Sequence, residues 1–62
     1  MKITFTVSSE NMVEFANILE ENEVKNEIVG SIDDDSILID VYYNSGQHDC
    51  LEELEALAEV EE

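Results

Sequence analysis

The hydrophobic period of this chain switches back and forth along its length, and that switching constrains its fold more than any other feature. Ile3, Phe5 and Val7 alternate with Lys2, Thr4 and Thr6, the two-residue period of a half-buried strand. Ser8-Ser9 then supplies a helix cap ahead of Glu10, an acid placed beside the positive end of a helix dipole. Met12, Phe15, Ala16 and Leu19 follow at the i, i+3, i+4, i+7 spacing of one helical face, and the pattern stops near Asn22. A second strand is expected over 26–32, with Ile28 and Ile32 on one face and Gly30 between them. Asp33-Asp34-Asp35-Ser36 is turn chemistry, after which Ile37, Ile39, Val41 and Tyr43 alternate as a third strand. Asn44-Ser45-Gly46 breaks the chain. Asp49 with Glu52 opens a last helix in the manner of a capping box, and Cys50, Leu51, Leu54, Leu57 and Ala58 form its apolar stripe.

The element order is therefore β-α-β-β-α in 62 residues, a single α+β domain with no linker and no internal repeat. Strands are expected near 2–7, 26–32 and 37–43, and helices near 9–21 and 49–60. A right-handed crossover from the first strand to the second leaves a gap that the third strand fills. The expected sheet is three-stranded and antiparallel in the order 1-3-2, with both helices covering one face. This element order resembles a ferredoxin-like split β-α-β fold lacking its last strand. Phe5, Phe15, Leu19, Ile39, Leu54 and Leu57 are the expected core. Disorder is the alternative that a high charge suggests, but 44% of the residues are hydrophobic and they fall into periodic blocks, which marks a folded domain.

Charge narrows the function. The chain carries 17 Asp and Glu against 2 Lys and no Arg, for a formal net charge of −15. Direct binding to nucleic acid needs cations that displace the counterions on phosphate, so nucleic acid is not an expected partner. An anionic membrane surface is disfavoured for the same reason. No apolar run is long enough to span a bilayer, and the stretch Met1 to Val7 lacks the apolar core of a signal peptide. The one cysteine cannot close an intramolecular disulfide, which fits a reducing, cytoplasmic setting.

At 100° per residue, Glu52, Glu55, Glu59 and Glu62 share one face of the last helix, opposite its leucines. Glu10, Glu14 and Glu21 line up in the same way on the first helix. With both helices on one side of the sheet, these acids form two rows on one outer surface, which Asp33, Asp34 and Asp35 extend at one end. A solvated helix face also carries acids, but it ordinarily intersperses Lys at i, i+4, and neither helix here contains one. Adaptation to high salt would favour Asp and Arg. This chain instead has 12 Glu to 5 Asp, no Arg, and an Ile- and Asn-rich, AT-rich look.

Other motifs carry less. Asp33-Asp34-Asp35 with Asp40 lacks the glycine and the distant glutamate of an EF-hand loop, so no metal is expected. His48-Asp49-Cys50 cannot converge as a nucleophilic triad, because Cys50 lies on the apolar stripe and carboxylates oppose a thiolate nearby. No cofactor motif is present, and catalysis is not expected of a chain with so little concavity. On the sheet face away from the helices, Val29, Leu38 and Tyr42 stand among Thr4, Thr6, Ser31 and Asp40, a second candidate contact surface that would serve a partner or a homodimer without mimicry.

In size, charge and composition the chain resembles the acidic DNA-mimic proteins with which phages and mobile elements oppose nucleases, restriction or CRISPR effectors, DNA glycosylases and nucleoid proteins. The resemblance implies a non-enzymatic inhibitor that occupies a basic groove in the host cytoplasm. Tyr42 or Tyr43 would add specificity to that contact.

Overall fold

The computed structural model describes residues 1–61. Strand β1 (Lys2–Ser8) has the faces that its alternation demands: Phe5 and Val7 are fully buried and the residues between them are not. A single 3₁₀ turn (Ser9–Asn11) leads into helix α1 (Met12–Glu21), which buries Phe15 and Leu19. Ala16, read as part of that apolar face, is exposed. A β-hairpin follows, formed by β2 (Lys25–Asp33) and β3 (Ser36–Tyr42). Its turn is closed by the Asp33 carboxylate, which accepts from the Asp35 amide at 2.8 Å, an Asx-turn.

The link from α1 to β2 is a Schellman motif. The Val24 amide donates to the Leu19 carbonyl at 2.9 Å and the Glu23 amide to the Glu20 carbonyl at 3.2 Å. Val24 and Leu19 are both buried, which supplies the apolar contact that accompanies this cap. Glu23 holds the left-handed position with φ 53°.

After a second 3₁₀ turn (Ser45–Gln47), helix α2 (His48–Leu57) buries Cys50, Leu51 and Leu54. The turn is closed by a capping box: the Asn44 carboxamide accepts from the Gly46 amide and the Gln47 side chain accepts from the Asn44 amide. The helix then stops three residues short of the expected limit, and Glu59–Glu61 form a fourth strand, β4. The sheet is four-stranded and antiparallel in the order β2-β3-β1-β4. The expected 1-3-2 order is present within it. The expected three-stranded, truncated form is not, because β4 covers the outer edge of β1.

Two physical terms end α2 early. Prolonging it would gather Glu59 and Glu61 at the negative end of the helix dipole, with no cation to offset them. Glu-Val-Glu also has the period of a strand, and Val60 lies opposite Phe5 in the β1–β4 register. The freed Leu57 carbonyl accepts from the Asn11 side chain at 2.9 Å.

Strand β2 departs from expectation as well. It pairs regularly with β3 from Lys25↔Tyr42 to Ile28↔Ile39, then carries register shifts between Ile28 and Gly30 and between Ser31 and Asp33. Each extra residue moves those after it to the other face. Ile28 and Ile32 therefore do not share a face. Ile28 borders a groove against α1, and Ile32 borders a depression with Thr4 and Leu38 on the far side of the sheet. Ser31, expected on that open face, pairs with Ile37 on the helix side.

Both helices contribute to one core built on Phe5, Val7, Ile39 and Val41, so both lie on one face of the sheet. The Phe5 and Phe15 rings meet edge to face at 5.3 Å, a geometry that adds roughly 1 kcal/mol to area burial. Of the expected core residues, all but Leu57 are buried, and Leu57 is half-buried against the cluster.

Candidate partner-binding surface

The helices turn their apolar stripes to the sheet, and their exposed faces carry a run of acids beside Val13, Ala16, Asn17 and Ala56. Glu10 stands on the 3₁₀ turn, Glu14, Glu20 and Glu21 on α1, and Asp49, Glu52, Glu53 and Glu55 on α2; every one is exposed. No Lys or Arg stands among them. Glu14 and Glu21 are seven residues apart, about 10 Å along the axis, while Asp49 reaches Glu52 and Glu53 at the i, i+3 and i, i+4 spacings that make helix neighbours.

The second acidic row differs from the sequence reading. Glu52 and Glu55 lie on α2, but Glu59 belongs to β4 opposite Thr6, on the face of the sheet away from the helices. Glu62 lies outside the described residues. The α2 row is instead filled by Asp49, expected as the cap of this helix, and by Glu53, which its spacing from Asp49 makes a helix neighbour.

The aspartate turn joins the same surface at one end. The Asp35 carbonyl accepts from the Ser9 amide at 2.6 Å, which ties the exposed Asp33, Asp34 and Asp35 to the segment that carries Glu10.

The open sheet face has a different character. Cross-strand partners share a face, so Lys2, Thr4, Thr6, Leu38, Asp40 and Tyr42 line it, with Lys25 and Glu27 from β2 and Glu59 and Glu61 from β4. Asp40 is buried to 9% exposure. The Thr4 hydroxyl donates to it at 2.5 Å and the Lys2 ammonium lies 3.7 Å away, so its charge is spent internally. The Glu61 carboxylate accepts from the Thr6 hydroxyl at 2.6 Å, and the Tyr42 hydroxyl donates to Glu27 at 3.5 Å. Val29, Leu38 and Tyr42 do not cluster: Asp40 stands between the last two along β3, Leu38 is half-buried, and Val29 is the extra residue of a bulge.

A cleft of about 450 Å³ opens between β1 and the end of α2, lined by Thr6, Ser8, Asn11, Ser36, Glu55 and Glu59. Hydroxyls and carboxylates suit it to a cationic group rather than an anionic one. Among the described residues, no three His, Cys, Asp or Glu side chains converge as metal ligands. Cys50 is buried. Burial pushes its thiol pKa up from 9.0 and the Glu53 carboxylate pushes it further in the same direction, which holds the sulfur in its protonated, unreactive form. His48 stacks edge-on against Tyr43 with ring centroids 6.0 Å apart.

Comparison with protein-family models, curated proteins and solved structures finds no match to this chain. No helix is long and apolar enough to cross a membrane among the described residues.

Proposed function

We propose that the protein is a non-enzymatic inhibitor that offers the acidic helix face to the basic groove of a nucleic-acid-binding protein, in place of nucleic acid. The observation that carries this reading is the placement of both helices on one side of the sheet, each bearing exposed carboxylates and neither bearing a Lys or Arg. Packed helices lie ~8–10 Å apart, and phosphates along one DNA strand are ~3.4 Å apart across grooves ~6–12 Å wide. The acids of α1 and α2, extended by the aspartate turn, fall on that scale.

Like charges so close cost stability in a small domain, so a role in binding accounts for them better than folding does. The strand order supports a ferredoxin-like scaffold with its last strand in place. Size and composition support a phage or mobile-element origin, with action in the host cytoplasm against a nuclease, a restriction or CRISPR effector, a DNA glycosylase or a nucleoid protein.

The mechanism is competitive. Carboxylates occupy the Lys and Arg positions that phosphates would take, with fast, salt-sensitive association. The structure suggests its own control. Glu52→Lys with Glu55→Lys and Glu59→Lys with Glu61→Lys change the net charge equally, but the first pair lies on the helix face and the second on the open sheet face.

With the target isolated by low-salt capture and its DNA or RNA used as competitor, the α2 pair should weaken inhibition by roughly 10-fold or more, as several exposed ion pairs are lost together. The β4 pair should change it little. Equal losses would mean that net charge rather than an array does the inhibiting. A loss from the β4 pair alone would move the interface to the open face around Leu38 and Tyr42, and no loss from either pair would overturn the reading.

A further inference from the structure

We propose that the outer edge of β2 is a self-association surface, on which a second copy of the chain docks edge to edge and antiparallel. The two ends of the sheet are treated differently. At one end, β4 spans three of the described residues, with Glu59 and Glu61 flanking Val60, a charged edge of the kind that discourages pairing. At the other end, β2 is nine residues long and pairs on one side only.

Its bulges blunt the edge in part, yet the residues around them are not the polar ones that protection alone would favour. Ile28, Val29 and Ile32 are 66%, 55% and 54% exposed. Ile28 also lines an apolar groove of about 360 Å³ against α1, with Met12, Leu19 and Val24 beneath it. Ile28 on the helix side and Ile32 on the open side, with Val29 between them, leave apolar side chains along both margins of this one edge.

The charge pattern of β2 selects a second copy as the occupant. The acids are concentrated on the helices and the turn, whereas Ile28 to Ile32 is uncharged, so two copies can approach here with the least repulsion. The strand is also self-complementary. Counted along β3 so that the two bulged residues Val29 and Ile32 drop out, an antiparallel two-fold centred on Ile28 sets Lys25 of each copy opposite Asp33 of the other, sets Asn26 opposite Ser31 and Glu27 opposite Gly30, and brings the two Ile28 side chains together on the helix side. A symmetric contact makes each favourable pairing twice. A strongly basic partner would find most of its counter-charge on the helices instead, and it would meet one of the two lysines here. The two-fold stands perpendicular to the sheet, so the helices of both copies fall on the same side. A domain of this size, with one cysteine and no metal cluster among its described residues, gains from a second subunit what its own core supplies sparingly.

The test is the mass of the full chain in solution by light scattering and sedimentation, without any target. Between about 10 µM and about 1 mM protein, the mass should rise from one chain to two. Added salt should favour the dimer by screening, which is opposite in sign to its effect on a basic target. Ile28→Asp, which sets two carboxylates against each other at the two-fold, should return a folded monomer, with folding checked by circular dichroism. Lys25→Glu should weaken the dimer, and Lys25→Glu combined with Asp33→Lys should restore it, a rescue that general destabilisation cannot produce. A monomer at every concentration and salt would overturn the proposal, as would a dimer indifferent to these changes or one broken by Val60→Asp on the opposite edge. The outcome is independent of the inhibitor reading, since a monomer can still carry the acidic face and a dimer can form without it.

Discussion

Glu23 is the residue at which chemistry and backbone disagree. It sits at the left-handed position of the Schellman cap with φ 53°, where a side chain costs roughly 1–2 kcal/mol and glycine costs almost nothing. Its carboxylate also joins Glu20 and Glu21 near the negative end of the α1 dipole. Glu23→Gly should therefore stabilise the domain by ~0.5–1 kcal/mol after allowing for the greater freedom of glycine when unfolded. In a thermal melt, that is an upward shift of several degrees, at ~4–8 °C per kcal/mol for a chain of this size. An unchanged or lower melting point would show that the Glu23 side chain contributes a compensating contact. Only the end of the helix near Asn22 was legible beforehand. The cap itself was not, because its usual signature is a glycine and here the position is held by the buried pair Leu19 and Val24.

At the scale of elements, the junction of α2 with β4 decides the architecture, and a polar side chain from another part of the chain holds it. Asn11 donates to the last helical carbonyl, that of Leu57, at the point where the backbone turns extended at Ala58. Asn11→Ala should leave that carbonyl short of a partner in a half-buried site and cost ~1 kcal/mol. Amide exchange should then quicken first in β4 and the last turn of α2, and exchange that quickened uniformly instead would argue against a local hinge. Strands β1 and β3 were legible because each is covered on one face only, which imposes a strict alternation. Helix α1 was legible for the analogous reason. Strand β4 was not, since a three-residue Glu-Val-Glu segment continues an acidic helix as plausibly as it makes a strand, and only the open edge of β1 discriminates. The bulges of β2 were equally hidden, because a shift of register depends on β3 and leaves no mark in local composition.

For the molecule as a whole, the governing term is self-repulsion within an envelope of 33 × 20 × 16 Å. At a fixed low protein concentration, raising the ionic strength from low to physiological should raise the melting temperature, as the screening length falls to ~8 Å. A flat or falling melting point would mean that the carboxylates are already well separated by solvent. The acidic face was legible as two helical rows because charge and period are both local properties. The loss of Glu59 from its row and the arrival of Asp49 and Glu53 followed from where α2 ends, which is not local. The few cations have a consequence of their own. Lys2 and Lys25 both lie opposite Tyr42, and the amino group of Met1 donates to the neighbouring Tyr43 carbonyl at 3.0 Å, while the aspartate turn closes the other end of the hairpin, about 20 Å away along β3. The protein is thus an electric dipole aligned with its strands. In the field of a positively charged groove it experiences a torque as well as a pull, so it rotates aspartate end first before any atoms touch, and its collisions begin already sorted by orientation.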